Sequence, residues 1–332
     1  MSSTFNALLL ERNEDKSIRA EIRSLDLGDL PDEDVLVDVA CSTLNYKDGL
    51  AVTGASPIAR KFPMVAGIDL AGVVAESRDS RFQPGDRVLV NGYGLSERHW
   101  GGYTQRQRLK PEWLVRVPEA FSLEEAMAIG TAGYTAMLCV QAIRDRGVKP
   151  EAGPVAVTGA AGGVGTVAIM LLAKLGYQVC AVTGRVEEAR PLLERLGASE
   201  LLPRDELARD PAPLEAERWA AAVDTVGANT LASLLAQTRY EGIVTACGLA
   251  GGVSLPTTVM PFILRGVTLR GIDSVMASQE RRQQAWDELA RLVDLDLLRE
   301  IYRVEPLSRV PELGKAILAG QIKGRVVIDV NA

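Results

Sequence analysis

Short apolar runs separated by turn residues fill the first third of the chain. Residues 7–10, 35–40, 71–75, 87–90 and 113–117 are aliphatic and β-branched, and Gly28-Asp29-Leu30-Pro31 and Gln83-Pro84-Gly85-Asp86 punctuate them. Runs of this length between such breakers predict strands, so this part reads as a β-rich or barrel-like domain. From about Ser122 the apolar positions fall at helical spacing, over 123–129 and again over 134–146, around the break Gly130-Thr131-Ala132-Gly133. Beyond it, runs at 155–158, 178–182, 201–202, 221–224, 243–247 and 268–270 alternate with helical stretches. Six strands with helices between them predict an α/β fold with a doubly wound parallel sheet. A long helix over 278–294 and a closing strand over 325–330 follow.

The first of the six strands runs straight into Gly159-Ala160-Ala161-Gly162-Gly163-Val164-Gly165 and then into an apolar helix from Thr166. Strand, glycine turn and helix make a dinucleotide seat: the backbone can approach a pyrophosphate, and free N–H groups at a helix start favour the anion. Backbone groups of Ala161, Gly162, Gly163 and Val164 are expected there. An ordinary turn is the alternative, and the parallel strand at 178–182, one crossover further on, argues for the seat. At the tip of that second strand an NAD site carries an acidic residue for the ribose 2′-OH, whereas here the tip is Thr183-Gly184-Arg185. A hydroxyl, open backbone N–H groups and a guanidinium suit a 2′-phosphate, which predicts NADPH. The competing reading leaves Arg185 solvated and turns Glu187 or Glu188 back to the ribose. Arg204, after the third strand, either joins Arg185 at the adenine end or pairs on the surface with Asp205 or Glu206. Leu249 and Ile272, past the fifth and sixth strands, are expected to line the nicotinamide pocket, with packing alone as the alternative.

Composition narrows the partners. The chain has 332 residues, 47% hydrophobic and 24% charged, which is that of an ordinary soluble protein with room for two cores. No uninterrupted apolar run approaches the roughly 20 residues that span a bilayer, and the N-terminus lacks a basic region followed by an apolar one. A cytoplasmic protein with no membrane partner is expected. A formal charge of −6 argues against nucleic acid. Cys41, Cys139, Cys180 and Cys247 are scattered with no Cys-x-x-Cys pair, so buried free thiols are expected. His99 is the only histidine, in a polar loop, and a lone histidine supports neither a zinc cluster nor a Ser-His-Asp triad.

Residues 63–74, the stretch Phe82-Gln83-Pro84-Gly85-Asp86-Arg87-Val88 and the 161–165 turn resemble signatures of the medium-chain dehydrogenase/reductase superfamily. Leu44-Asn45-Tyr46-Lys47-Asp48, residues 130–138 and residues 255–265 are similar to the bacterial NADPH-dependent acryloyl-CoA reductases, also described as quinone-oxidoreductase-like. The resemblance implies a doubly wound Rossmann domain plus a β-rich GroES-like catalytic domain. It divides the chain into a catalytic part over 1–127, an NADPH-binding domain over 128–274 and a return segment over 275–332 that completes the catalytic domain. It also implies a homodimer, and it gives Thr131 the place of the superfamily threonine at the cofactor-facing helix start.

Departures from relatives carry equal weight. Zinc alcohol dehydrogenases have Gly-His-Glu where this chain has Gly67-Ile68-Asp69, and a ligand cysteine where it has Asn45. No metal site is expected, and without a Lewis acid alcohol oxidation loses its main stabilisation. Zinc-free relatives reduce carbon–carbon double bonds or quinones, and hydride addition to acryloyl-CoA, giving propionyl-CoA, is the leading reading. A CoA-free quinone or small-enone reductase is the first rival, and a non-catalytic dinucleotide-binding sensor or structural protein the second. The proton-donating tyrosine of the mitochondrial enoyl reductases has no counterpart in Gly54-Ala55-Ser56. Tyr46 is then the candidate for protonating the α-carbon or anchoring the enolate, with Asn45 and Asp48 orienting it or the nicotinamide ribose. In the alternative, Tyr46 only packs, water supplies the proton and Asp48 fixes a turn. CoA carries several phosphates, so basic side chains are expected to hold it despite the negative net charge. Lys323 and Arg325, either side of Gly324, are preferred, with Arg60-Lys61 and Arg281-Arg282 as further candidates.

Overall fold

The computed structural model describes residues 4–332. Its strands are β1 (Thr4–Arg12), β2 (Ile18–Asp26), β3 (Val35–Thr43), β4 (Met64–Val65), β5 (Asp69–Ser77), β6 (Arg87–Asn91), β7 (Arg106–Leu109), β8 (Val115–Arg116), β9 (Val155–Thr158), β10 (Val179–Thr183), β11 (Glu200–Pro203), β12 (Trp219–Asp224), β13 (Thr238–Ala246), β14 (Thr268–Gly271), β15 (Tyr302–Pro306) and β16 (Arg325–Asp329). The helices are α1 (Tyr46–Thr53), α2 (Leu123–Asp145), α3 (Gly163–Lys174), α4 (Val186–Arg195), α5 (Ala228–Gln237), α6 (Met260–Arg265), α7 (Gln279–Leu292), α8 (Leu295–Ile301) and α9 (Val310–Leu318). The chain forms two compact units. The first holds residues up to Thr131 with Ser274–Ala290 and Leu298–Ala332, and the second holds Ala132–Asp273 with Arg291–Leu297. The division falls at Thr131 rather than at residue 127, and the short segment 291–297 belongs to the second unit rather than to the return.

In the first unit a sheet runs β15-β16-β3-β5-β6-β8 with β7 paired to β3, beside a three-stranded sheet β2-β1-β4. Alternation along the strands turns Leu8, Leu10, Val37, Leu70, Val88 and Val90 into one core. Strands β2, β7 and β15 have no apolar run to announce them. β2 exposes most of its side chains yet pairs with β1 along its whole length, from Ile18 opposite Arg12 to Asp26 opposite Thr4. β15 pairs parallel to β16. Helix α1 is fixed by a close crossing with α9: a Cβ on Gly49 would lie 2.6 Å from Ile317 Cγ2, and one on Gly314 2.4 Å from Val52 Cγ2.

The second unit is a six-stranded parallel sheet in the order β11-β10-β9-β12-β13-β14, or 3-2-1-4-5-6 by position in the unit. Its central strands β9, β10 and β12 are buried on both faces, which is why they read as continuous apolar runs rather than alternating ones. Ala156, Val182, Ala222 and Val244 pack against Leu231, Leu234 and Leu235 of α5.

Helix α2 begins with a capping box in which Ser122 N donates to Glu125 Oε2 at 2.9 Å and Glu125 N to Ser122 Oγ at 3.0 Å. The break expected at Gly130 is present: at φ 51° and ψ −160° its backbone is not helical, and it separates the helical stretch before it from the one after it. A Cβ there would lie 2.7 Å from Arg325 Nη2 and 2.8 Å from Thr43 Cγ2, so only glycine fits. Among the described residues α2 is the helix long and apolar enough to cross a membrane, and 94% of its apolar window is buried inside the protein. All four cysteines are free, and Cys247 is the one not fully buried.

Candidate active site

One buried carboxylate organises the first unit's polar interior. Asp69 opens β5, ahead of the apolar run Leu70-Ala71-Gly72-Val73-Val74, and it is fully buried. Such a group costs several kcal/mol unless donors surround it. Asn45 Nδ2 donates to its Oδ2 at 2.9 Å, Asn91 Nδ2 to its Oδ1 at 3.0 Å and Thr131 N to its Oδ2 at 3.0 Å, and the Thr131 hydroxyl donates to Oδ1 as well. The Thr131 N–H lies just past the Gly130 kink, so Asp69 caps the second half of α2. Thr131 was given a cofactor-facing place by resemblance, and here its hydroxyl is engaged with Asp69.

Asn45 links Asp69 to a second buried acid. Asp48 is fully buried, and its Oδ2 accepts from Asn45 N at 2.9 Å and Asn45 Nδ2 at 3.1 Å, while its Oδ1 accepts from Ile68 N at 3.0 Å. Burial first, and then the charge of Asp69, push its pKa up to about 7. Asp48 therefore serves as the capping acid of α1 and as a tie to residue 68. These bonds fix the start of the helix that Tyr46 begins. Tyr46 itself is the first residue of α1 and is 41% exposed.

Arg325 is the cation of this network, which overturns its expected role on a CoA phosphate. It is 3% exposed, and its Nε donates to Ala128 O at 2.8 Å, its Nη2 to Thr43 Oγ1 at 2.8 Å and its Nη1 to Leu44 O at 3.3 Å. Burial pulls the guanidinium below its ordinary pKa, while Asp69 and Asp48 oppose that. The neighbouring Gly324 is a packing glycine: at φ 60°, its Cβ would lie 2.1 Å from Ile301 O. Lys323 is exposed. Arg282 is fully buried as well, donating through Nη1 to Asn91 O at 2.7 Å, so it too is no surface cation.

In the second unit the glycine turn leads from β9 into α3 as expected. Ala161 is buried, Gly162 is the N-cap of α3, and Gly163 and Val164 form its first turn, where N–H groups have no intrahelical acceptor. A Cβ on Gly165 would lie 2.5 Å from Gly159 O, so this glycine lets helix and turn close on each other. The tip of β10 has no acid: Thr183 Oγ1 accepts from Arg185 N at 3.2 Å, and Arg185 caps α4. Arg204, just past β11, lies across Gly184, where a Cβ would be 2.8 Å from its Nε. Arg185 and Arg204 thus share one end of the sheet. Arg204 also lies 3.7 Å from Asp205, but the two side chains are 71% and 91% exposed, and such a pair holds little. These residues fit a nucleotide with a 2′-phosphate. Leu249 is 59% exposed beyond β13, and Ile272 follows β14 with its N–H on Ala246 O at 3.0 Å.

Sequence reasoning passed over Asp69, Asn91 and Asp224. Asp224 ends β12, accepting from Thr158 Oγ1 at 2.7 Å and Gly227 N at 2.8 Å, and so fixes the loop beside the glycine turn. The available signal was a lone acid at the end of an otherwise apolar strand.

A parallel nucleotide sheet and a β-rich unit with a buried polar network define a two-domain nicotinamide oxidoreductase. The chain belongs to the medium-chain dehydrogenase/reductase superfamily: the alcohol dehydrogenase GroES-like domain model matches residues 31–119, and the zinc-binding dehydrogenase model matches residues 163–291. It is 52% identical over 325 residues to a probable acrylyl-CoA reductase AcuI of Escherichia coli K12, covering 98% of this chain and 99% of that protein. It is 50% identical over 330 residues to the acrylyl-CoA reductase AcuI of Ruegeria pomeroyi, covering 99% of this chain and 100% of the relative. Among solved structures it is similar to E. coli K-12 YhdH with bound NADPH, at a TM-score of 0.95 and 52% identity, covering 98% of this chain and 100% of that one.

Proposed function

We propose that the chain is an NADPH-dependent acryloyl-CoA reductase, which adds a hydride to the β-carbon of the acryloyl thioester and yields propionyl-CoA. The observation that carries this is the identity of half or more, over essentially the whole length, to two acrylyl-CoA reductases. The 2′-phosphate-compatible tip of β10, with Thr183, Arg185 and Arg204, supports NADPH. Ala161, Gly162, Gly163 and Val164 would hold the pyrophosphate, and Leu249 and Ile272 the nicotinamide side. NADPH, when bound, supplies the hydride.

The chain's own part is positional and protonic. Tyr46 presents a half-exposed phenol at the start of α1 and would donate its proton to the α-carbon or hydrogen-bond the enolate oxygen. Asn45 sets that helix start through Asp48 and Asp69. The reaction needs no metal: both Asp69 oxygens already accept protein donors, residues 45 and 68 are Asn and Ile, and the thioester carbonyl makes the β-carbon electrophilic. The chain acts as a homodimer in the cytoplasm. Exposed Val259, Ile263 and Leu264 near the edge strand β14 support a second copy there, and four free thiols support a reducing compartment.

Following NADPH loss with acryloyl-CoA, free acrylate and a benzoquinone in parallel tests the reading. Rapid loss with the thioester alone is expected, and equal rates with quinone and thioester would undo the CoA assignment. Activity should survive exhaustive chelation with no stoichiometric zinc by elemental analysis.

A further inference from the structure

With Arg325 and Arg282 buried, the cations that could hold a phosphate-bearing substrate lie elsewhere in the first unit. Most arginines of this unit's surface have carboxylate partners: Arg78 with Asp32, Arg81 with Asp79, Arg106 with Asp38, Arg116 with Asp86. One group is different. Among the described residues Arg60, Lys61, Arg98 and Lys110 have no carboxylate within 4.0 Å, and Arg60, Lys61 and Arg98 are exposed. The one acid in their loop, Glu97, is paired with Lys47 of α1.

The fold gathers these cations around a single imidazole. Arg60 N donates to Glu97 O at 2.8 Å, which brings the 60–61 segment against the loop that carries Arg98 and His99. Lys110 Nζ lies 5.4 Å from the Trp113 ring centre, and His99 stands edge-on to the same ring at 4.7 Å. Burial first, and then the charges of Lys110, Lys61 and Arg98, lower the His99 pKa. The loop leaves the sheet at Asn91, the residue that donates to Asp69, and through Glu97 it is tied to α1, the helix that Tyr46 begins. A ligand reaching the start of α1 therefore has this patch along the same loop.

We propose that the phosphate-bearing adenosine end of the CoA thioester docks on the patch formed by Lys61, Arg98 and Lys110 around His99. The inference rests on the acyl-CoA reading above. A 3′-phosphate and a pyrophosphate bring several negative charges, and unpaired cations on a protein of net charge −6 give them a local well of opposite sign. The same chemistry resides in the 2′-phosphate end of NADPH, so the two sources need separate arms.

His99 is the chain's only histidine, so its imidazole signal can be followed alone by NMR in the untagged protein. Adenosine 3′,5′-bisphosphate, the CoA end, is expected to raise the His99 pKa by neutralising its cations. Adenosine 2′,5′-bisphosphate and inorganic phosphate at the same concentration are expected to leave it in place. No shift with the 3′,5′ compound, or an equal shift with all three anions, overturns the proposal. A kinetic arm uses the Lys61→Ala/Arg98→Ala/Lys110→Ala variant with acryloyl-CoA and with acryloyl-pantetheine, which lacks the phosphates. The ratio of the two KM values is expected to rise by about tenfold or more. An unchanged ratio overturns the proposal. If the wild-type enzyme reduces neither thioester, the reductase reading fails, while the imidazole titration still decides whether the patch binds this end of CoA.

Discussion

The nucleotide seat and the polar interior of the catalytic unit solve the same problem, holding charge in place, by opposite means. The seat is backbone: β9, the glycine turn and the start of α3 lie within eleven consecutive positions, 155–165, and what matters is that Gly165 has no Cβ. The catalytic interior is side chain. Arg325 Nη1 and Asn45 Oδ1 face each other at 3.5 Å across 280 positions of sequence, and Asp69 and Thr131 meet across 62. The first should therefore tolerate side-chain change but not an added methyl group at Gly165, and the second should lose stability with any partner.

Asp69→Ala tests that contrast most severely. It leaves Arg325 buried without its principal counter-charge and takes the acceptor from Asn45, Asn91 and Thr131 at once. Breaking a buried charge set in this way costs about 3–5 kcal/mol. Urea unfolding should show it, and a loss below about 1 kcal/mol would mean that Asp69 is not the hub of the network.

Asp48 sharpens the comparison through pH. An aspartate in the unfolded chain titrates near 3.9, whereas Asp48 in the fold is pushed up to about 7. Between these values the folded protein keeps a proton that the unfolded chain has released. The contribution is fully present below the unfolded pKa and is lost as pH rises through about 7, so stability falls across this window. The Asp48→Asn variant removes the titration. Its urea midpoint should vary less than that of the wild type between pH 5 and pH 8, and parallel profiles would show that Asp48 is ionised throughout.

On the nucleotide side the corresponding change is Gly165→Ala. Its Cβ would meet Gly159 O at 2.5 Å and Ala160 Cα at 2.6 Å, both backbone and unable to swing away. Overpacking of this kind costs about 1–3 kcal/mol, and displacement of the turn should weaken NADPH binding by about tenfold or more. Val164→Ala, one position earlier, adds nothing and should change NADPH affinity by less than about threefold. Equal losses for the two variants would remove the distinction between backbone and side-chain construction.

The same distinction decides what could be read in the sequence. All six strands of the nucleotide sheet and its glycine turn were legible, because buried parallel strands make apolar runs and the motif is contiguous. In the catalytic unit Asn45, Tyr46 and Asp48 stood out as a polar cluster, but their organiser Asp69 did not, because its donors come from β6, α2 and the residue that precedes α1. Arg325 was misread for the same reason. A basic residue beside a glycine looks like a surface contact until β16 is paired with β3, which places the guanidinium inside. β2, β7 and β15 were missed because pairing, not hydrophobicity, makes them strands.

Arg204→Ala asks for the smallest effect and divides side-chain from backbone recognition within the seat itself. The Arg204 side chain is 71% exposed, so a charge-assisted bond from it to a 2′-phosphate is screened by solvent and falls at the low end for such bonds. A rise of about 3–10-fold in the Kd for NADPH is expected, with NADH binding altered by less than twofold. Fluorescence titration of both cofactors against the same variant makes the comparison. Gly184→Ala should act in the same direction, because the new Cβ would displace the guanidinium it meets at 2.8 Å without removing the charge. Equal weakening of NADPH and NADH by Arg204→Ala would instead mean that the side chain supports the tip of β10 by packing over Gly184, and that discrimination lies with Thr183 and Arg185.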